Sequence, residues 1–217
     1  MRKSVWFLLT VIGLASCTTK STSNMNVFET SANGNLHAVK KDFKKSEQHS
    51  TVSIDTKKRK QTIIGFGGAF TESTAHNINL LSPENRTEII DAYFGEEGAA
   101  YSLTRTHMNS CDFSVANYSY TPVEGDTALE HFSIDPDRAD ILPMIKDAQA
   151  VSKEGFKIFG SPWTAAPWMK DNNNYVGGKL KKEYYDTWAL FFSKYVDAYR
   201  EEGIDIWGFT VENEPHG

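Results

Sequence analysis

Cysteine is scarce: the 217 residues contain two, Cys17 and Cys111. Two thiols make no disulfide framework, so packing and hydrogen bonding must hold the fold. Long apolar runs are missing as well. No stretch reaches the roughly 18–20 residues a bilayer-crossing helix needs, which excludes a polytopic membrane protein. An excess of positive charge is also lacking. With 23 Lys+Arg against 28 Asp+Glu the formal charge is −5, whereas nucleic-acid-binding domains are usually basic, so no nucleic-acid partner is expected. His37, His49, His76, His107, His131 and His216 are too scattered for a metal-ligand pattern, and no metal or other cofactor is expected. What remains is ordinary. A chain with 40% hydrophobic, 24% charged and 12% aromatic residues is neither disordered throughout, nor collagen, nor a coiled coil.

The first residues have a pattern of their own. Arg2 and Lys3 precede a short apolar run from Val5 to Ala15, followed by small residues, as in a secretory signal. Leu14-Ala15-Ser16-Cys17 resembles the bacterial lipobox, which implies that residues 1–16 are a lipoprotein signal and that Cys17 carries the lipid. The expected product is exported and anchored to a membrane through its N-terminal lipid; the alternative is ordinary cleavage near Ala15, with Cys17 incidental. Residues 17–50 are rich in Ser, Thr, Asn and Lys and read as a flexible tether. Residues 40–60 hold eight basic and three acidic side chains, a solvated or lipid-facing stretch in a chain otherwise acidic. Thr51–Asp55 alternates apolar and polar residues, so 51–60 is expected to form a β segment of a side domain.

Beyond that point strand-like and helix-like segments alternate. Expected strands are Thr62–Phe66, Tyr101–His107, Phe156–Phe159 and Ile204–Val211. Between them run three helical stretches. The first is capped by Ser82 with Pro83 at its first position and closed by a left-handed Gly95. The second covers about Ala139–Lys153, and the third starts near Lys182 with Tyr184, Trp188, Phe191, Phe192, Tyr195 and Tyr199 at three- and four-residue spacing. Alternating βα units imply a parallel sheet, either doubly wound or a (β/α)8 TIM barrel. Gly65-Phe66-Gly67-Gly68-Ala69-Phe70 fails the dinucleotide fingerprint at its last position, which weakens the doubly wound reading. In a barrel the functional side chains gather where strands end. Asp112, Trp163 and Glu212-Asn213-Glu214 fall at such places, which favours the barrel.

A carboxylate at a strand mouth can act as a general acid if burial raises its pKa. Strand alternation puts Glu212 and Glu214 on one face and does not choose between them. Around them, Trp163, Trp168, Phe113, Tyr118 and Tyr120 can stack on sugar rings, while Asn109, Asp112 and Asn172 can bond hydroxyls; core packing is the competing role for each aromatic.

Four segments in order resemble the glucosylceramidase family, glycoside hydrolase family 30. They are Gly65-Phe66-Gly67-Gly68-Ala69-Phe70-Thr71-Glu72, Ser110-Cys111-Asp112-Phe113-Ser114, Ser161-Pro162-Trp163-Thr164 and Glu212-Asn213-Glu214-Pro215. The resemblance covers 61–217 and implies the first four βα units of a (β/α)8 barrel, with a β-rich side domain. It implies a retaining β-glycosidase acting on a β-glucoside or β-glucan. In that likeness Glu214 is the acid/base, Asn213 contacts the sugar 2-hydroxyl, Asp112 and Trp163 line the glycone subsite with Phe113 beside them, and Arg105 supports the site. Retention needs a second carboxylate about 5–5.5 Å away as nucleophile. In the family it lies on the seventh strand, so the 217 residues alone are expected to be inactive; four of eight units also leave an unpaired sheet edge, so they are expected to be poorly folded or aggregation-prone. A surface glycan-binding lipoprotein without catalysis is the alternative; a structural lipoprotein leaves the strand-end motifs unexplained.

Overall fold

The computed structural model describes residues 27–31, 34–39, 50 and 52–215. The proposed signal and Cys17 lie outside them. The chain divides into two units, Met1–Arg59 and Lys60–Gly217.

In the first unit, β1 (Val27–Ser31) and β2 (Gly34–Val39) form an antiparallel hairpin, with Val27 opposite Val39 and Glu29 opposite His37. The hairpin falls within the stretch expected as a flexible tether, 17–50, most of which lies outside the described residues. The polar composition hid a turn signal, Asn33-Gly34, between two strand-length runs. The β segment expected at 51–60 is corrected: the described residues 52–60 contain no strand. Val52 and Ile54 are both 82% exposed, and Lys58 N–H closes a turn on the Asp55 carbonyl (3.1 Å). Alternation alone makes no strand without a partner to pair with.

The second unit is a four-stranded parallel sheet in the order β3 (Ala69–Phe70), β4 (Leu103–Met108), β5 (Lys157–Pro162), β6 (Ile206–Phe209). Each strand is added beside its predecessor, with no reversal of order. A doubly wound sheet reverses at a switch point; a barrel wall does not. The sheet is an arc of four strands from a (β/α)8 barrel. Helices lie in every connection: α1 (Glu72–Asn79) and α2 (Pro83–Phe94) after β3, α3 (Asp135–Arg138) and α4 (Ile141–Val151) after β4, and α5 (Tyr185–Glu201) after β5.

The first strand is displaced from Thr62–Phe66 to Ala69–Phe70. Around Phe66 the backbone instead lies against the next strand, its carbonyl accepting from Ser102 and Leu103 N–H (2.9 and 3.2 Å), while Ile63, Ile64 and Phe66 stay exposed. α1 was not expected at all; its Thr71 hydroxyl caps Thr74 N–H at 3.2 Å. α2 starts as expected, with Ser82 Oγ accepting from Asn85 N–H. Gly95, however, is extended (φ −68°) rather than left-handed. Its role is close approach, since a Cβ there would lie 2.6 Å from the Asp91 carbonyl.

The core is largely aromatic. Phe70, Phe94 and Phe156 cluster below β3, with Phe70 and Phe94 stacked at 5.3 Å. α5 turns Thr187, Phe191, Tyr195 and Tyr199 inward at four-residue spacing, and α4 buries Ile141, Leu142, Ile145 and Ala148. Beneath the site sits Asp137, 0% exposed, accepting from the hydroxyls of Tyr118 (3.2 Å), Tyr120 (2.7 Å) and Tyr199 (2.6 Å).

Candidate active site

β4 and β5 are paired in register, and that register sets the site. Arg105 lies opposite Phe159, His107 opposite Ser161 and Met108 opposite Pro162. Arg105 therefore reaches along the sheet toward the β5 end. Its Nε donates to Ser161 Oγ (2.8 Å), its Nη2 donates to Asn213 Oδ1 (2.6 Å), and its guanidinium lies 4.4 Å from the centre of the Trp163 ring. Ser161 is held in turn by Thr210 Oγ1 at 2.8 Å. Trp163 Nε1 donates to Asp112 Oδ1 at 3.0 Å. Arg105 is thus fixed by three partners at once, using the fork and flat face that a lysine lacks.

Backbone bonds hold the two loops that meet here. Trp163 N–H donates to the Met108 carbonyl (3.3 Å) and Asn213 N–H to the Pro162 carbonyl (2.8 Å), so each strand-end loop is tied to its neighbour. His107 is 2% exposed and packs edge-on to Trp163, ring centres 6.3 Å apart. Its Nε2 accepts from Glu72 N–H (3.2 Å), which leaves Nδ1–H to donate to the Asn109 carbonyl (2.7 Å). Burial lowers its pKa, with the Arg105 charge acting the same way, so this imidazole is neutral and its tautomer fixed.

Of the expected residues, Asp112, Trp163, Arg105 and Asn213 join in one continuous chain of contacts. Glu214 follows Asn213, exposed and with φ +46°. β6 ends at Phe209, so strand alternation does not govern Glu212 and Glu214, contrary to expectation, and Pro215 does not end the ladder. The two glutamates differ sharply. Burial raises the Glu212 pKa to about 7, partly offset by the Asn213 backbone N–H and the Lys170 charge. Glu212 Oε1 is buried with no hydrogen-bond partner among the described residues.

Several proposed sugar-stacking or sugar-bonding groups are structural instead. Tyr120 and Trp168 are buried, and Trp168 Nε1 donates to the Thr121 carbonyl at 2.8 Å. The Asn109 amide is consumed by the Thr164 carbonyl and Tyr120 N–H (both 2.9 Å), and Asn172 ties its own loop at the Val176 carbonyl. Phe113 is 56% exposed and stacks on no described aromatic ring. Composition and motif reading missed Lys170. Its ammonium gathers Thr164 Oγ1, the Tyr175 carbonyl and the Gly177 carbonyl (2.6, 3.0 and 2.8 Å), folding the loop beside Trp163 around one cation. Nothing in its local sequence marks it. Among the described residues no His, Cys, Asp and Glu side chains cluster to hold a metal ion.

The arrangement offers a ring face at Trp163, acceptors at Asp112 and Asn213, and a solvent-facing carboxylate at Glu214, which together suit a hydroxyl-rich ring. Comparison with known proteins agrees. Residues 63–217 match the glycosyl hydrolase family 30 TIM-barrel domain. Putative glucosylceramidase 3 of Caenorhabditis elegans is 38% identical over 182 residues, 82% of this chain and 35% of its own length. Lysosomal acid glucosylceramidase of Mus musculus is 37% identical over 76% of this chain and 33% of its own length. Among solved structures, the endo-beta1,6-glucanase BT3312 superposes with a TM-score of 0.70 at 31% identity, covering 76% of this chain and 38% of that one. The chain spans about a third of the length of the curated relatives it matches. A family match across most of the chain, on a sheet of the required order, makes this chain a member of glycosyl hydrolase family 30, of whose (β/α)8 barrel it carries the N-terminal part.

Proposed function

We propose that these 217 residues contribute the glycone subsite and the proton donor of a retaining β-glycosidase that cleaves β-glucosidic bonds by double displacement. The observation that carries the reading is the linked set Asp112–Trp163–Arg105–Asn213, which leads directly to Glu214. In this reading Glu214 gives its proton to the glycosidic oxygen as the C1–O bond breaks, and a carboxylate from a later strand bonds C1. Glu214 then takes a proton from the water that releases the sugar. Asn213 holds the 2-hydroxyl, and Trp163 carries the apolar face of the ring. Relatives named for glucosylceramide and for β-1,6-glucan both support a β-glucoside, so either is the substrate class. We further propose export and anchoring to a bacterial membrane through lipid on Cys17; a Cys17→Ser chain that stays in the membrane fraction contradicts this.

The test of function uses an aryl β-glucoside with the 217-residue chain. With the nucleophile on a later strand, as this reading has it, the expected result is binding that quenches tryptophan fluorescence with no release of the phenol. Trp163→Ala is expected to abolish the quenching. Turnover near that of an intact glycosidase contradicts a nucleophile on a later strand, and absence of binding by a chain that melts cooperatively contradicts the subsite.

A further inference from the structure

Asp137 lies outside the proposed chemistry, yet its surroundings are built with care. It is fully buried on the short helix α3, and no described cation pairs with it. Three phenols donate to it: Tyr118 to Oδ1, Tyr120 and Tyr199 to Oδ2. Tyr195 packs tilted against Tyr199 (4.3 Å) and stacks on Tyr120 (5.9 Å), closing the cradle on the α5 side. The other charge that bears on it is Glu72 of α1, which opposes its ionisation.

Two of the three phenols belong to the segment that carries Asp112. The Tyr118 carbonyl accepts from Ser110 N–H (3.2 Å), and Tyr120 N–H donates to Asn109 Oδ1 (2.9 Å). Asn109 has φ +61°, a backbone state that costs energy for a non-glycine residue and persists only where its surroundings enforce it. Its amide nitrogen donates to the Thr164 carbonyl, next to Trp163. One unbroken set of bonds therefore runs from α5 through Asp137 and its tyrosines to Ser110, two residues before Asp112, and to Thr164, next to Trp163. Cys111, between Ser110 and Asp112, is buried along with it.

We propose that Asp137 is a positioning residue: through Tyr118 and Tyr120 it fixes the Asn109–Thr121 segment and so sets the Asp112–Trp163 geometry. The functional consequence rests on the glycone-subsite reading above, but the positioning itself does not. A purely structural carboxylate would stabilise the unit as a whole, and losing any of its three donors would then loosen every part alike. A positioning residue predicts asymmetry, because Tyr199 joins Asp137 to α5 while Tyr118 and Tyr120 join it to the site loop.

Cys111 reports on that loop. In a Cys17→Ser chain it is the only thiol, and its alkylation by N-ethylmaleimide under native conditions measures how often the segment opens. Tyr118→Phe and Asp137→Asn are expected to speed alkylation about tenfold, the response to losing a hydrogen bond to a charged group. Tyr199→Phe, compared at a temperature equally far below its own melting point, is expected to change it by less than about twofold, since the loop keeps both of its own bonds to Asp137. Equal acceleration by all three, or no acceleration in Tyr118→Phe, overturns the proposal. Tyr118 is half-buried and loses one hydroxyl only, so its variant decides the matter even where Asp137→Asn does not fold. Should the asymmetry appear while no β-glucoside binds, the glycone-subsite reading fails and the positioning role stands.

Discussion

Two carboxylates are raised by burial, and their surroundings differ in a way that separates scaffold from site. Asp137 sits in the helical layer with both oxygens engaged by phenols, its pKa raised to about 6. Glu212 follows β6, its pKa raised to about 7, with one oxygen buried and without a partner among the described residues. Burial lifts both, but phenols engage both oxygens of the first, while the second is offset only in part, by the Asn213 backbone N–H and the Lys170 charge. A satisfied buried group specifies structure; an unsatisfied one beside a binding surface is tolerated where function occupies the neighbourhood.

The comparison is most severely tested by removing the acceptor from the cradle. Asp137→Ala leaves three phenols without their partner, each unsatisfied group costing about 1–3 kcal/mol. The expected result in urea denaturation is a loss of several kcal/mol or no folded population at all. A loss under about 1 kcal/mol would break the contrast with Glu212.

The pH dependence of stability comes next. The proton on Asp137 is held more tightly in the folded state than at the ordinary carboxylate value of 3.8, so protonation favours folding. Its contribution is complete below about pH 4 and is lost as pH rises through about 6, amounting to at most about 3 kcal/mol. Melting temperatures at pH 5 and pH 7.5 are expected to show the protein more stable at the lower value. Glu212, raised to about 7, acts in the same direction, so Asp137→Asn is expected to shrink the difference without abolishing it.

Binding effects are smaller. Arg105→Lys loses the bond to Asn213 and the contact with Trp163, since an ammonium cannot span Ser161 and Asn213 as the guanidinium does. About a tenfold loss of affinity for an aryl β-glucoside is expected in a fluorescence titration, with little change in melting temperature. The smallest effect belongs to Glu212→Gln, which removes an ionisable group but no hydrogen bond made by Oε1. Stability at pH 7 is expected to change upward, because a costly charge disappears, but by less than about 1 kcal/mol, because solvent screens a carboxylate that is only partly buried. A large destabilisation would place Glu212 with Asp137 as scaffold.

Much of this layout is written in local sequence. Ser82-Pro83 caps α2, the spacing of Phe191, Tyr195 and Tyr199 sets the inner face of α5, and the four parallel strands fall within a few residues of their apolar runs. The hairpin escaped because overall polarity outweighed one Asn-Gly pair in the sequence. α1 escaped because Thr71 and Glu72 sit inside a glycine-rich run that reads as loop. Site residues emerged through motif likeness, and the register of β4 on β5 explains why Arg105 meets Trp163. Asp137 was illegible for a simple reason: its partners lie 17, 19 and 62 residues away, and no local pattern announces a contact made only by the tertiary fold.

The central proposal is that Trp163, Asp112, Arg105 and Asn213 form a sugar subsite. It is tested most directly by titrating the chain with an aryl β-glucoside, following tryptophan fluorescence and phenol release in the same cuvette. Saturable quenching that vanishes in Trp163→Ala, with no phenol released, is the predicted result. Phenol release at the rate of an intact glycosidase would contradict a nucleophile on a later strand, and quenching unchanged in Trp163→Ala would contradict the subsite.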